Sequence, residues 1–329
     1  MIPYGKHFID ESDIEAVIDV LRNGMLTQGP MIHEFECAVA SYVGAKYAVS
    51  VSSATAALHI SCVVAGVKEG VAAITSANTF VASSNAILYC GGTPLFTDID
   101  PTTLGMCVNS LESQLEMNDT VKAVLPVHFA GLAANMKAIR EVSDRYSVSI
   151  IEDAAHALGA SYECGDKVGS CKFSDMTCFS FHPVKGVTSG EGGLITTNCE
   201  SKYKRLLMLR SHGICKGNFD FPGVSSGNTD TLLKPDDAFS NGHLNPWYYE
   251  MQELGFNYRM TDIHAALGIS QMTRLDRFVE KRRAIASRYN KELGECALTA
   301  PWQEQSNYSG LHLYVVRIRL TEISKTQIE

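Results

Sequence analysis

A lysine between an apolar run and a glycine-rich turn is the residue of this chain best suited to covalent chemistry. Lys185 lies in the segment FSFHPVKGVTSGEGG (179–193), where strand-like residues give way to glycines. A primary amine can form a Schiff base with a carbonyl compound and can carry protons as a general base and acid. On its own, a lysine in such a turn is more commonly a solvated surface residue, so its assignment depends on its surroundings.

An acidic residue occupies a similar position at the end of another apolar run. The strand-like residues SVSII (147–151) lead directly into Glu152 and Asp153. Open α/β sheets place ligand-binding groups at the carboxyl ends of their strands, although an aspartate there can equally be a helix N-cap. A lysine and a carboxylate on neighbouring strand ends suit pyridoxal phosphate (PLP), because the lysine bonds to the aldehyde and the carboxylate partners the ring nitrogen.

A third element could hold the phosphate of such a cofactor. The residues Ser52-Ser53-Ala54-Thr55 follow the strand-like run YAVSV (47–51) and open a helical stretch. Free backbone N–H groups and small hydroxyl side chains at a helix N-terminus bind phosphate. The same residues also serve as ordinary helix caps, so this signal alone is weak.

The elements that must position these residues are short β-prone runs that alternate with helical stretches. Several runs are apolar at successive residues, which is typical of strands covered on both faces. Alternating strands and helices predict an α/β fold with a mostly parallel sheet of about seven strands and right-handed crossovers. The seven runs are 47–51, 71–74, 94–96, 121–127, 147–151, 177–181 and 193–197.

Outside this region the pattern predicts four further features. Ser12 and Glu15 form a capping box for a first helix that ends at Gly24. Residues 216–247 are rich in Gly, Asn, Asp and Pro and predict a long surface loop. Thr261 opens a long helical stretch, and the alternating residues 312–320 predict a strand of a second, smaller domain.

Composition excludes several classes of protein. The 329 residues carry a net charge of −8, and 45% of them are hydrophobic, as in an ordinary globular chain and unlike a disordered or fibrous one. A net acidic chain lacks the positive surface that nucleic acids require. No secretion signal or 18-residue apolar stretch is present, so we expect a cytoplasmic protein without membrane contact. The ten cysteines form no CxxC pair, which predicts buried, reduced thiols and no metal site.

Motifs spread over nearly the whole chain, in order, resemble the DegT-type nucleotide-sugar aminotransferases, a PLP-dependent family of fold type I. The HPVK…GEGG form and the run PWYYEMQELGFNYRM (246–260) are most similar to the branch that aminates C4 of a UDP-4-keto-6-deoxy-N-acetylhexosamine, as in pseudaminic acid synthesis. The motifs are GMLTQGP (24–30), TSANTFVASSNAILYCGGTPLFTDID (75–100), EDAAHALGA (152–160), FSFHPVKGVTSGEGG (179–193) and LGFNYRMTDIHAALGISQ (254–271).

The resemblance implies a role for each matching residue. Lys185 is the Schiff-base lysine, and Asp153 partners the pyridine nitrogen. A glycine common in the family before Thr55 is replaced by Ala54. The other implied cofactor contacts are His156 near the phenolic oxygen, Phe80 stacked on the ring, Ala54, Thr55 and Ser180 at the phosphate, and Asn257 reaching the phosphate of the partner subunit.

The resemblance also implies partners and domains. We expect a homodimer with shared active sites, glutamate as the amino donor, and a nucleotide sugar as the acceptor. The large domain spans 12–250 and a small domain spans 251–329, joined by the N-terminal segment 1–11. The chain stops where the family's small domain usually continues, so we expect that domain to be incomplete. Candidate contacts to the sugar or its diphosphate are Thr27, Gln28, His182 and Arg259, with Arg210 and His212 as further candidate cations.

Three alternatives remain open. A 3-keto-sugar aminotransferase of the same family has the same core residues. A PLP-dependent sugar dehydratase of this family has His in place of the lysine and an iron–sulfur cluster, so Lys185 and the scattered cysteines argue against it. A non-catalytic regulator or scaffold would have no need of Lys185, Asp153 and Thr55 together.

Overall fold

The computed structural model describes residues 6–215, 249–293 and 308–318 with their side chains, and the backbone of three short strands at 239–240, 243–244 and 298–299. A central sheet of seven strands has the order β1-β7-β6-β5-β4-β2-β3. All neighbours are parallel except β7, which is antiparallel to both β1 and β6. The predicted α/β fold with a mostly parallel sheet is confirmed. The strands are β1 (Tyr47–Val51), β2 (Ala72–Ser76), β3 (Thr93–Thr97), β4 (Val121–Leu125), β5 (Ser149–Asp153), β6 (Met176–Ser180) and β7 (Gly193–Thr197).

Helices cover both faces of this sheet, because successive residues of its strands point to opposite sides. On β5, Ile150 belongs to one buried cluster and Ile151 to the other. The described helices are α1 (Glu11–Asn23), α2 (Pro30–Val43), α3 (Ala54–Val64), α4 (Ala82–Tyr89), α5 (Val108–Met117), α6 (Met136–Arg145), α7 (Glu200–Leu209), α8 (Asp262–Met272) and α9 (Leu275–Glu292).

The N-cap of the first helix lies two residues before its predicted position. Asp10 is the N-cap, its carboxylate accepts from the Ser12 amide at 3.1 Å, and Asp13 completes the capping box. Ser12 therefore lies inside the first turn, and the predicted box of Ser12 and Glu15 was wrong. Asp13 is buried and forms an ion pair with Arg274, the residue between α8 and α9. This ion pair joins α1 to the junction of those two helices.

The C-terminal elements differ in part from prediction. Thr261 caps α8 as predicted, but the helical stretch is divided between α8 and α9 at 273–274. In the predicted strand 312–320, the described residues form strand only at β13 (Arg317–Ile318), paired with β12 (Leu298–Thr299). The residues before β13 are not part of a strand, because their backbone hydrogen bonds are made to a turn. The Leu313 amide, for example, donates to the Ala130 carbonyl at 3.2 Å.

Two short antiparallel pairs complete the described structure. β8 (Ile214–Cys215) pairs with β11 (Glu250–Met251), and β9 (Phe239–Ser240) pairs with β10 (His243–Leu244). Most of the predicted loop 216–247 lies outside the described residues. The division into domains 12–250 and 251–329 stays a prediction.

The described part of the chain holds no helix that is both long and apolar enough to cross a membrane. Of the nine cysteines in this part of the chain, only Cys62, Cys171 and Cys178 are buried, so the prediction of general burial was wrong. Cys296 lies outside the described residues. No group of three His, Cys, Asp or Glu side chains within 6–215, 249–293 and 308–318 is arranged to hold a metal ion.

Candidate active site

Asp153 and Lys185 meet at one edge of the sheet. Asp153 is the last residue of β5, and Ser180 is the last residue of β6, its parallel neighbour. The chain then turns, with the Phe181 amide donating to the Gly192 carbonyl at 2.9 Å, and this turn carries Lys185. Burial lowers the pKa of Lys185, and the nearby Asp153 carboxylate acts in the opposite direction. The two residues are therefore close enough for their charges to interact.

The Asp153 carboxylate is buried and held from two sides. Its Oδ2 accepts a 2.6 Å hydrogen bond from the Ser83 hydroxyl, and its Oδ1 accepts from the Ala155 amide at 3.2 Å. The Ser83 and Thr79 hydroxyls lie 2.7 Å apart. Two donors, one on each carboxylate oxygen, fix the orientation of this side chain. Sequence reasoning missed Ser83, whose only signal was its place in the helix after β2.

The first turn of α3 presents open backbone donors. Ser53 is the N-cap, and its side chain accepts from the Ala56 amide at 3.1 Å. The amides of Ala54 and Thr55 donate to no acceptor among the described residues. Such free N–H groups at a helix start suit an anion.

Gly193 brings this turn next to Ser180. It pairs with Ser180 on one side and Val51 on the other. A Cβ at Gly193 would lie 2.3 Å from the Ser53 carbonyl oxygen, so only glycine permits the approach. The predicted phosphate residues Ala54, Thr55 and Ser180 are thus neighbours in the structure.

Two histidine rings lie beside the lysine. The centroids of His156 and His312 are 4.2 Å apart, with an angle of 31° between the rings. Burial, together with the Lys185 charge, lowers the pKa of His156 to about 4. Burial and the charge of His156 lower the pKa of His312 to about 3. Both rings are therefore neutral at pH 7. The buried His156 Nδ1 has no hydrogen-bond partner among the described residues, which leaves it open to a ligand.

Glu152 points to the opposite side of β5 from Asp153 and anchors the strand. It is fully buried and accepts from His128 Nε2 at 2.6 Å, from the Tyr162 hydroxyl at 2.7 Å, and from hydroxyls of Ser174 and Thr177. The Ala134 amide donates to His128 Nδ1, so the proton lies on Nε2. Burial alone would raise the pKa of Glu152, but these hydrogen bonds outweigh it and hold that pKa below its ordinary value.

The remaining predicted cofactor and sugar residues lie nearer the surface. Phe80 is 73% exposed and precedes α4, close in sequence to Ser83. His182 is exposed at the end of β6. Asn257 is exposed and pairs with Ser211, and within the described part of one chain it makes no hydrogen bond to Thr55 or Ser180.

A cavity of about 340 Å³ is lined by two of the predicted sugar contacts, Gln28 and Arg259. The turn that carries Gln28 is held by Asp262, whose carboxylate accepts from the Gly29 and Met31 amides at 2.9 and 3.1 Å. Thr27 pairs with Thr261 at its margin.

Arg210 lines the same cavity as Gln28 and Arg259. It also forms a 2.5 Å ion pair with the buried Glu36 and donates to the Ser50 carbonyl at 2.8 Å, so these bonds already hold its guanidinium. Its role as a ligand-binding cation stays a prediction, as does that of His212. His212 is exposed, with a left-handed backbone conformation (φ 63°).

These residues fit PLP. Four groups lie at one edge of the sheet: the Lys185 amine of lowered pKa, the buried Asp153 carboxylate, the neutral His156 ring with an open nitrogen, and the start of α3 beside the Ser180 hydroxyl. They match the aldehyde, ring nitrogen, phenolic oxygen and phosphate of that cofactor in turn.

Comparisons with known proteins agree with this geometry. A model of the DegT/DnrJ/EryC1/StrS aminotransferase family matches residues 7–328. The chain is 38% identical over 293 residues to the UDP-4-amino-4,6-dideoxy-N-acetyl-beta-L-altrosamine transaminase of Campylobacter jejuni subsp. jejuni, covering 89% of this chain and 69% of that relative.

Solved structures show the same fold. PseC of Helicobacter pylori, an aminotransferase of pseudaminic acid biosynthesis, superposes with a TM-score of 0.84 at 27% identity, covering 99% of this chain and 80% of PseC. The PLP form of the sugar aminotransferase Spr1654 from Streptococcus pneumoniae gives a TM-score of 0.82 at 28% identity, covering 97% and 78%. Spr1654 has also been solved in its PMP form. The chain therefore belongs to the DegT/DnrJ/EryC1/StrS aminotransferase family and is a PLP-dependent sugar aminotransferase.

Proposed function

We propose that this enzyme moves an amino group from glutamate to C4 of a nucleotide-linked 4-keto-6-deoxy sugar through a Schiff base on Lys185. The observation that carries the proposal is the placement of Lys185 beside the buried, hydrogen-bonded Asp153 at the ends of β5 and β6. The name of the Campylobacter jejuni relative supports a UDP-linked 4-amino-4,6-dideoxy sugar as the product.

The chain's own groups hold and move protons. When bound, PLP supplies a conjugated ring that accepts the electrons left on the substrate carbon after its proton departs. Asp153 would hold a proton at the ring nitrogen, and the Ser83 hydroxyl fixes the orientation of that carboxylate. The Lys185 Nζ takes the proton from the substrate carbon and would deliver it to the cofactor carbon that carries the amine. Its lowered pKa favours this transfer near neutral pH.

Other residues bind and orient. The open amides of Ala54 and Thr55, with the Ser180 hydroxyl, hold the phosphate at the start of α3. His156 remains neutral and places a ring nitrogen at the phenolic oxygen. Gln28 and Arg259 bind the sugar diphosphate, because an acidic protein needs local cations to bind an anionic substrate.

The proposal includes a homodimer in which Asn257 completes the phosphate site of the partner subunit. Large apolar side chains are exposed on this chain, including Leu254 at 80%, three residues before Asn257, and Phe80 at 73%. The exposed Tyr89 on α4 touches the ring of His59, which also contacts Phe256. An apolar surface of this kind favours burial against a second copy of the chain.

A panel assay tests the function. The PLP-loaded enzyme is incubated with glutamate and either UDP- or dTDP-linked 3-keto and 4-keto sugars, and the amino-sugar product is located by NMR. Amination at C4 of a 4-keto sugar is the expected result, with Lys185→Ala as the inactive control. Amination at C3 would assign the 3-keto alternative, and a deoxygenated product without nitrogen would assign the dehydratase.

Mixed dimers test the shared site. Lys185→Ala and Asn257→Ala variants are each expected to be inactive, whereas random mixing should restore about a quarter of wild-type activity, because half of the dimers then hold one intact site. No restoration, in a mixture shown to exchange subunits, would contradict the contribution of Asn257 across the dimer.

A further inference from the structure

Arg282 on α9 is a half-buried cation that has no counter-ion among the described residues. Its Nη1 lies against Gly186, the residue after Lys185, at 3.3 Å from the position that a Cβ would take there. Burial lowers the pKa of Arg282, and no acidic neighbour acts against that shift. Among the residues that the structure describes, no carboxylate lies within ion-pair distance of this guanidinium.

Three other partly buried arginines of the chain form ion pairs, whereas Arg283 lies over the ring of Tyr308 and has a buried Nη1 without a hydrogen-bond partner among the described residues. Arg210 binds Glu36 at 2.5 Å, Arg205 binds Glu253 at 2.9 Å, and Arg274 binds Asp10 and Asp13. A desolvated guanidinium that lacks such a partner is costly, unless an anion arrives from outside the chain. The positive charge of Arg282 is therefore balanced by no carboxylate among the described residues, as in a residue that binds an anionic ligand.

A cavity of about 170 Å³ opens beside Arg282. It lies between the N-terminal segment 6–8, the turn 183–188 and α9. No acidic side chain lines it, whereas five basic ones do: Lys6, His7, Lys185, Lys281 and Arg282. A cavity with only positive charges, and with the reactive lysine in its wall, selects an anion that takes part in the reaction.

The position of Gly186 indicates which kind of anion this cavity binds. An anion held by Arg282 lies next to the residue whose amine exchanges with the substrate nitrogen. In an amino acid the α-carboxylate is two bonds from that nitrogen, whereas the diphosphate of a nucleotide sugar is several bonds from C4. The planar guanidinium also matches a carboxylate with two parallel hydrogen bonds.

We propose that Arg282 and its cavity form the subsite that binds a carboxylate of the amino-acid donor, separate from the Gln28–Arg259 cavity that receives the sugar diphosphate. This inference rests on the proposed function for the identity of the donor. It divides the two half-reactions between two arginines, Arg282 for the donor and Arg259 for the acceptor.

The test compares Arg282→Gln with Arg259→Gln. Arg288→Gln is the matched control, because Arg288 lies exposed on the same helix and pairs with Glu292. Glutarate and UDP are the probes, and calorimetry measures their binding to each PLP-loaded variant. We expect Arg282→Gln to weaken glutarate binding about tenfold or more and leave UDP binding unchanged, because it removes a charge-assisted hydrogen bond to the carboxylate. Arg259→Gln should show the reverse pattern.

Kinetics of the donor half-reaction give a second readout. In Arg282→Gln the glutamate concentration for half-maximal rate should rise by a similar factor, with the limiting rate changed far less, and Arg282→Lys should recover part of the loss. Unchanged glutarate affinity in Arg282→Gln would overturn the proposal, as would a selective loss of UDP binding. A wild-type enzyme that binds glutarate through Arg282 but aminates no keto-sugar would refute the proposed function and leave this subsite standing.

Discussion

The Ser83 hydroxyl donates a 2.6 Å hydrogen bond to Oδ2 of Asp153, across 70 positions of sequence. Ser83 lies in the first turn of α4, and Asp153 ends β5. The bond joins α4, the helix after β2, to the residue proposed to partner the cofactor nitrogen. The orientation of the Asp153 carboxylate therefore depends on the position of α4.

We predict that Ser83→Ala lowers kcat roughly ten- to hundredfold, since it removes one hydrogen bond to a carboxylate worth about 1.5–3 kcal/mol. Asp153→Asn should cost much more, because the amide cannot stabilise a protonated ring nitrogen. Steady-state kinetics with saturating PLP measure both. Ser84→Ala is the control, as the Ser84 hydroxyl bonds only to the Val81 carbonyl at the surface. Equal rates for Ser83→Ala and Ser84→Ala would show that Asp153 needs no such support.

Glu152 should control stability in acid. Its folded-state pKa is below its ordinary value of 4.5, so the unfolded chain binds the proton more readily. The stabilisation is present above the unfolded pKa and is lost as the pH falls through the folded pKa. Glu152→Gln should lower the free energy of unfolding at pH 7 by about 3 kcal/mol, because it breaks a buried ionic hydrogen-bond network.

Urea unfolding at pH 7 and pH 4 measures this effect. The difference in stability between wild type and Glu152→Gln should shrink at pH 4. Glu112→Gln, which removes a surface ion pair with Arg145, should change stability by less than about 1 kcal/mol. A constant difference at both pH values would mean that Glu152 is not ionised in the folded protein.

His156 and His312 should stay neutral well below pH 6. Their folded pKa values of about 4 and about 3 lie below the ordinary 6.5, so only the unfolded chain takes up these protons as the pH falls from 6.5. The free energy of unfolding must therefore decline as the pH falls from 6.5 towards the folded pKa values. NMR titration of the imidazole C–H signals, assigned with His156→Gln and His312→Phe, checks this directly in the protein without cofactor. A midpoint near 6.5 for either ring would contradict its burial beside Lys185.

Arg210 and Arg259 should have opposite mutational effects. Arg210→Gln should destabilise the fold by roughly 3 kcal/mol, because it leaves the buried Glu36 without its ion-pair partner. Arg259→Gln should leave the unfolding midpoint unchanged and raise the KM for the nucleotide sugar. Thermal unfolding and initial rates separate the two effects. A raised KM in a normally stable Arg210→Gln variant would return Arg210 to the substrate site.

Much of the fold and part of the site could be predicted from the sequence. The seven strands were predicted because each is a short β-prone run bounded by turn residues, and six of them are largely buried, whereas β3 is mostly exposed or half-buried. Asp153 and Lys185 follow two of the buried runs. Ser83 and His312 could not be found this way, since each reaches the site from an element distant in sequence. Local chemistry was also ambiguous at α1, where Asp10, Ser12 and Asp13 can all cap a helix and only the tertiary contact with Arg274 selects the pattern seen.

The central claim is that Lys185 is the residue that bonds covalently to PLP. Reduction of the PLP-loaded protein with borohydride, followed by proteolysis and peptide mass spectrometry, identifies the lysine that carries the pyridoxyl group. The label should be found on the peptide that contains Lys185, and Lys185→Arg protein treated in the same way should carry none. A label on another lysine, or an unlabelled Lys185 in protein that retains transaminase activity, would contradict the account.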